Sequence, residues 1–202
     1  MSGAVTASPL VDAPPPLARR PRVLFIGAAL GAAASALVVL TMLAAYLQVR
    51  SDNLAVGLPT LPEGTVLPLT PGHMAMTTFL MSAVTVAWAV YALRNGDRSH
   101  AYVALGLTLL LGAANIVETV YLYQQLALPT TSTPMGTLLY ATTGAHLVMM
   151  IAGLVFIAVM AFQALGGQLS GRDAEGMTAA ALYWYVVIAV YTAIWYGIYI
   201  TK

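Results

Sequence analysis

Charged residues are scarce and cysteine is absent from this sequence of 202 residues. Asp, Glu, Lys and Arg make up 7% of the chain, whereas a soluble domain carries about 25%. The net charge of +1 offers no basic surface for a nucleic-acid partner. Without cysteine, disulfides, thiolate metal sites and thiol chemistry are excluded. The chain as a whole is 60% hydrophobic with a mean hydropathy of +0.83, which predicts a membrane protein.

Five long apolar segments predict an all-α integral membrane protein, a bundle of five transmembrane helices. Each reaches the roughly 20 residues that a helix needs to cross the hydrocarbon layer. The first exceeds the core of about 7–15 residues of a cleavable signal peptide, so we expect it to span the membrane. Residues 1–21 are rich in Ala and Pro and predict a disordered tail, and residues 22–202 form the membrane domain. The predicted helices are 23–48, 72–93, 101–122, 136–164 and 178–200.

Basic residues divide unequally between the two sides of this predicted bundle. Two of the eight, Arg50 and Lys202, lie on one side, and the others are Arg19, Arg20, Arg22, Arg94, Arg98 and Arg172. Because basic residues favour the cytoplasmic side, we predict a cytoplasmic N-terminus and an external C-terminus. The external segment 51–71 contains four prolines and is predicted to be extended.

This orientation can be tested with reporter fusions after Asn95 and after Gln125. A reporter that is active only outside the membrane is expected to be silent at Asn95 and active at Gln125. The reverse pattern would invert the assignment.

The histidines do not predict a cofactor site of this chain's own. His73 and His100 fall at opposite ends of their predicted helices, and only His146 lies well inside one. A haem held by two histidines needs them at matching depth, and no cluster of His, Cys and carboxylate has the spacing of a metal site. We therefore expect no catalytic residue, no bound cofactor and no metal in this chain, and interpret His146 as an interior histidine with a hydrogen-bond partner.

Glu118 is the only carboxylate inside the predicted spans. An ionisable group in a transmembrane helix costs about 2.5–3.5 kcal/mol on insertion scales, which favours burial against a partner. We predict that a Tyr, a Thr or His146 bonds Glu118 and that the contact fixes helix packing. The alternative, a proton-relay carboxylate, needs further acids that the spans lack.

Three other patterns bear on packing. Residues 181–199 carry aromatics along their whole length, and a membrane-interface belt explains only those near the ends. We therefore predict that part of this helix faces another protein. Gly27, Gly31 and Ser35 follow one helix face and predict close helix contacts. Arg50 is predicted to reach outward to water.

Taken in order, five motifs resemble subunit III of the haem–copper respiratory oxidases, in a short, divergent five-helix form. The resemblance covers roughly residues 23–200. The motifs are MLAAYLQVR at 42–50, SAVTVAWA with A-L at 82–93, ETVYLY at 118–123, the T-G-x-H pattern of Thr143, Gly144 and His146 followed by Gly153, and the pattern of Gly176, Ala179, Ala180, Ala181, Tyr183 and Trp184.

The chain departs from the family's pattern at several polar positions. A buried Glu of the family falls on Ser35, a second His on Met149, and the Glu of its third helix near Leu122, one turn from Glu118 and on the same face. A His and an Asp of its last helix become Tyr185 and Ile188. The sequence also lacks the two N-terminal helices of the seven-helix form, so we expect their lipid-filled cleft to be absent or open.

The resemblance implies a non-catalytic role within an electron-transfer complex. Subunit III binds no haem or copper; those lie in partner subunits. It packs on catalytic subunit I near the entry of protons and protects the oxidase from inactivation during turnover. Subunit II, small subunits and membrane lipids, including a bound phospholipid, are further expected partners, in the bacterial cell membrane. The structural or interface candidates are Glu118, His146, Tyr183, Trp184 and Trp88.

Two alternatives stay open at this point. An accessory subunit of a nitric oxide reductase would have the same fold. A stand-alone membrane transporter is less favoured, because the sequence contains no helix pair broken by Pro or Gly with charges at the midplane.

Overall fold

Five helices account for nearly all of the structure, a computed structural model that describes residues 22–59, 67–126, 133–169 and 174–201. All five are long and apolar enough to cross a membrane, so the chain is a multi-pass membrane protein. The predicted tail, residues 1–21, lies outside the described residues. The helices are α1 (Val23–Ala55), α2 (Leu69–Arg94), α3 (Arg98–Leu126), α4 (Pro134–Leu165) and α5 (Glu175–Ile194), and α5 continues as a π-helical segment, Trp195–Ile200.

The helices extend beyond the predicted bounds, and segment 51–71, which was predicted to be external and extended, is helical at both ends. Helix α1 runs to Ala55, and α2 begins at Leu69. Pro71 is tolerated there because it lies in the first turn, where a helix residue has no carbonyl partner for its N–H. Helix α4 likewise places Pro134 in its first turn, and Thr133 caps it by accepting a hydrogen bond from the Gly136 N–H at 3.1 Å. Residues 60–66 of the predicted loop lie outside the described residues.

The turn between α2 and α3 has the tight geometry that Asn-Gly-Asp predicts. Gly96 adopts a φ of 73°, which favours glycine. The Asp97 carboxylate then accepts a hydrogen bond from the His100 N–H at 3.2 Å, at the start of α3. This backbone bond lowers the pKa of Asp97 below its usual value. The turn makes α2 and α3 antiparallel neighbours with the most extensive packing in the bundle.

Helix α5 is the central helix, and this corrects the interpretation of its aromatic residues. It packs against α1, α2 and α4. Trp184 has 0% of its surface exposed and Tyr191 8%, so the aromatics in mid-helix are buried by this chain's own helices. The prediction that they face another protein is therefore wrong for these two. Sequence alone did not distinguish burial within the bundle from burial against a partner.

One further prediction about α1 is wrong, and another is not met among the described residues. Gly27 and Gly31 make no close helix contact there, because a Cβ atom added at either would meet nothing within 4 Å. Arg50 does not reach outward: it is buried, and its Nη1 donates to the Gly197 carbonyl at 3.3 Å and to Thr201 Oγ1 at 3.1 Å. The reason is that the C-terminal end of the π-helical segment leaves acceptors beside α1.

Candidate functional site

The centre of the bundle is a contact between a serine of α2 and a tryptophan of α5. Trp184 Nε1 donates to Ser82 Oγ at 3.0 Å, and Ser82 donates to the Phe79 carbonyl at 2.7 Å. Both side chains are fully buried. The indole therefore fills the core while its only polar atom is satisfied, as a buried tryptophan requires.

His146 of α4 lies beside this contact and is 4% exposed. Its Nε2 is 3.1 Å from the carbonyl oxygen of Val187 on α5. Because a carbonyl only accepts, Nε2 carries the proton in this bond. The imidazole also meets the rings of Phe79 and Tyr191, with centroids 5.8 and 5.4 Å away. His146 thus joins α4 to α5 by a hydrogen bond and the ring contact with Tyr191, and to α2 by the ring contact with Phe79.

A glycine of α4 explains how the tryptophan is accommodated. A Cβ atom added to Gly153 would lie 3.0 Å from Trp184 Cε3 and 3.2 Å from Tyr183 Cδ1. Contacts this short would force the rings to move. Gly153 therefore lets the backbone of α4 approach the ring of Trp184, and the ring of half-buried Tyr183 lies against the same glycine.

Glu118 lies on α3 with a partner on α2. Thr78 Oγ1 is 3.3 Å from Glu118 Oε1 and 3.0 Å from the carbonyl of Met74. Glu118 Oε2 is buried and has no hydrogen-bond partner among the described residues. Of the three partners predicted for this carboxylate, the structure places a threonine beside it.

A small cavity adjoins the carboxyl group of Glu118. Its volume is about 20 Å³, counted as the space open to the centre of a water molecule. A single water needs about 10–15 Å³ on this measure. Leu122 shares this cavity with Glu118, as the one-turn spacing predicts. The other lining residues are Pro71, Gly72, Ala75, Thr119, Thr143, His146, Tyr191, Ile194 and Tyr199.

The remaining candidates lie apart from this core. Half-buried Trp88 faces the exposed ring of His100, with centroids 5.8 Å apart. His73 is exposed and places Nδ1 2.8 Å from the Leu69 carbonyl. The hydrogen bond and ring contacts described for His146 include neither of the other two histidines. Within the described ranges, no group of three His, Cys, Asp or Glu residues is placed to hold a metal ion.

Sequence reasoning missed several polar contacts between helices, among them one from α3 to α2 and one from α5 to α2. Thr108 Oγ1 and Thr85 Oγ1 are 2.8 Å apart, which joins α3 to α2. Tyr191 donates to the Gly72 carbonyl at 3.0 Å, which joins α5 to the first turn of α2. The signal in the sequence was a hydroxyl group on an otherwise apolar helix, but this signal does not predict which residue the hydroxyl contacts.

Fold and polar contacts together define a polytopic membrane protein whose buried polar side chains hold helices to one another. The family model described as "Cytochrome c oxidase subunit III" matches residues 23–202. The chain belongs to that family, and the resemblance stated above is confirmed.

Individual relatives agree with this family at low identity. The chain is 28% identical over 141 residues to cytochrome c oxidase subunit 3 of Sus scrofa, covering 68% of this chain and 54% of the relative. The protein of the same name from Bos taurus gives the same identity and shares. That of Strongylocentrotus purpuratus is 27% identical over 152 residues, covering 74% of this chain and 58% of the relative. The chain thus spans about half the length of the curated relatives it matches.

Proposed function

We propose that this chain is the non-catalytic subunit III of a bacterial haem–copper terminal oxidase in the cell membrane. In this role it packs on catalytic subunit I near the side where protons enter and stabilises it, with subunit II and small subunits as further neighbours. Haem and copper belong to the partner subunits, which transfer electrons to oxygen. The observation that carries the proposal is the family match over residues 23–202.

The use of polar residues within the bundle supports a packing role. Ser82, His146 and Glu118 each have a contact from one helix to another. In a helix bundle within lipid, such contacts and close packing hold the helices together, because apolar side chains gain little by leaving apolar lipid. A bundle stabilised in this way is suited to present a fixed surface to a larger partner.

Purification of the tagged chain from its own membranes tests the proposal. We expect large haem-bearing oxidase subunits to co-purify in a stable ratio. A nitric oxide reductase as the co-purifying partner would replace the proposal with the accessory-subunit alternative. Recovery of the chain without any haem-bearing partner, under detergent conditions that preserve respiratory complexes, would contradict both.

The absorbance spectrum of the isolated chain gives a second prediction. We expect no stoichiometric haem band, because exposed His73 and His100 are near opposite ends of the bundle and His146 is engaged with Val187. The assembled complex is the matched control and should show haem absorbance under the same conditions. A haem band that persists in the isolated chain and is lost in His146→Ala would contradict the prediction.

A further inference from the structure

The carboxyl group of Glu118 is satisfied on one side only. Its Oε1 is 3.3 Å from Thr78 Oγ1, whereas Oε2 is buried and has no hydrogen-bond partner among the described residues. A buried polar atom without a partner loses its hydration and gains no bond in exchange, which is unfavourable. Glu118 also lines the small cavity described above, so that cavity is where a partner for Oε2 can be accommodated.

Tyr199 brings a second polar group to the same cavity. It is 4% exposed and lies in the π-helical segment that continues α5. Its ring packs on the first turn of α2, where a Cβ atom added to Gly72 would lie 2.5 Å from Tyr199 Cε1. No hydrogen bond between described residues uses the Tyr199 hydroxyl, although a buried tyrosine hydroxyl usually has a partner.

The segment that carries Tyr199 is held from outside the cavity. Arg50 Nη1, on α1, donates to the Gly197 carbonyl at 3.3 Å and to Thr201 Oγ1 at 3.1 Å. The Thr201 N–H donates to the Tyr196 carbonyl at 3.1 Å, which is the five-residue spacing of a π-helix. The position of Tyr199 is therefore set by contacts that do not involve Glu118.

The other hydroxyl groups of the cavity wall already donate to backbone carbonyls. Thr119 and Thr143 each donate to a carbonyl of their own helix at 2.8 Å, and Tyr191 donates to α2 at 3.0 Å. Among the described lining residues, Tyr199 is thus the hydroxyl whose proton is left to donate into the cavity. The wall also contains an acceptor, Nδ1 of His146, because Nε2 carries the proton of that ring.

The cavity has the size and the polarity of a site for one water molecule. Its volume of about 20 Å³ exceeds the roughly 10–15 Å³ that a water needs on this measure and leaves no room for a larger solute. A buried water needs two to four polar partners, typically about three. Glu118 Oε2, the Tyr199 hydroxyl and His146 Nδ1 supply two acceptors and one donor, which match the two protons and a lone pair of water.

We propose that this cavity binds one water molecule that bridges Tyr199 to Glu118. The Tyr199 hydroxyl donates to the water oxygen, and the water donates one proton to Glu118 Oε2 and the other to His146 Nδ1. The bridge joins α3 and α4 to the π-helical segment and makes Tyr199 a positioning residue for the carboxyl group. This site goes beyond the proposed function, because it depends on the cavity and not on the identity of the respiratory partner.

Infrared difference spectra between the wild type and each variant test this site, with water itself as the probe. The full chain is measured in the assembled complex and in isolation, in ordinary water and in water labelled with ¹⁸O, which lowers the O–H stretching frequency of a bound water. We expect one labelled band that is lost in Glu118→Leu and kept in Glu118→Gln, which retains an acceptor. Tyr199→Phe should shift the band, and Tyr196→Phe, an exposed tyrosine of the same segment, should leave it unchanged.

Two results of these spectra would overturn the proposal. One is the absence of any labelled band that depends on Glu118, and the other is a band that Tyr199→Phe leaves unshifted. Exchange of sodium for potassium in the buffer should have no effect. A band that changes with sodium would instead assign the cavity to a cation.

A double-mutant cycle tests the bridge by its energy. Tyr199→Phe removes only the hydroxyl and is expected to shift the unfolding equilibrium in SDS about fivefold, the net worth of one hydrogen bond. In the Glu118→Leu background the same change should have less than about a twofold effect, because the bridge is already lost. Tyr196→Phe is the control in both backgrounds and should shift neither. Equal effects of Tyr199→Phe in the two backgrounds would mean that the hydroxyl acts independently of Glu118, and the bridge would be refuted.

Discussion

Trp184→Ala is expected to lower the free energy of unfolding by about 3–5 kcal/mol, the range for removing a large aromatic side chain from a core. Trp184 is fully buried, and Gly153 and Phe79 contact its ring from α4 and α2. Removing the indole leaves a cavity between three helices and deprives Ser82 of its partner at 3.0 Å. Reversible unfolding in SDS, followed by circular dichroism, measures the change. In lipid the loss is mainly of van der Waals contact.

Matched variants separate the loss of ring packing from the loss of the hydrogen bond between Trp184 and Ser82. Trp184→Phe keeps an aromatic ring but removes the N–H. Ser82→Ala keeps the indole but leaves its N–H without an acceptor, which is expected to lower the free energy of unfolding by about 1–3 kcal/mol. Tyr196→Ala, an aromatic 59% exposed in the π-helical segment, is expected to change stability by less than about 0.5 kcal/mol. If Trp184→Ala is no more destabilising than Tyr196→Ala, the central packing described here is wrong.

The packing around Trp184 gives a physical reason for residues in three of the five motifs that carry the family resemblance. Ser82 belongs to the second motif, His146 and Gly153 to the fourth, and Trp184 to the last. In the structure the indole bonds the serine and rests on the glycine, and the histidine bonds the helix that carries the indole. Residues far apart in sequence therefore form one contact between α2, α4 and α5.

The helices were predictable from sequence because length and apolar composition are local properties. The Asn-Gly-Asp turn was predictable for the same reason, since Gly96 needs only its own φ of 73°. The contact of Ser82 with Trp184 spans 102 residues, and nothing in either local sequence selects the other residue. Sequence reasoning likewise gave Glu118 three classes of partner, but only the packing of α2 on α3 singles out Thr78.

The errors at the helix ends have a common origin. Arg50 was expected in water because a cation near a helix end usually reaches the interface. The π-helical segment that follows α5 instead offers the Gly197 carbonyl and the Thr201 hydroxyl beside it. A departure from α-helical bonding has no clear sequence signature here, so neither the segment nor the buried cation was predictable.

Glu118→Leu is expected to weaken retention of this chain in the proposed oxidase complex, whereas Glu118→Gln should not. Leucine cannot accept a hydrogen bond from Thr78, and it replaces the carboxyl group that lines the adjoining cavity with an apolar side chain. Loss of a buried hydrogen-bond partner costs about 1–3 kcal/mol, and each 1.4 kcal/mol corresponds to about a tenfold change in an equilibrium. The amount of the chain that stays with its partners through detergent purification measures the effect. Thr78→Val should weaken retention in the same direction. Thr77→Val is the matched control, because Thr77 is exposed and its hydrogen bond among the described residues goes to the His73 carbonyl of its own helix.

Glutamine distinguishes packing from proton transfer, because it keeps the shape and hydrogen bonding of Glu118 but cannot ionise. The other acids of the described helices are Asp52, in the last turn of α1, and Glu175, in the first turn of α5. A relay through Glu118 needs successive groups within hydrogen-bond reach, and neither of these acids lines its cavity. We therefore expect turnover and the proton-to-electron ratio of the proposed oxidase complex with Glu118→Gln to remain near those of the wild type, measured on preparations in which the chain is confirmed to be bound. A collapse of proton pumping in such a preparation would place Glu118 on a proton path, because assembly and packing would then be intact while ionisation alone was lost.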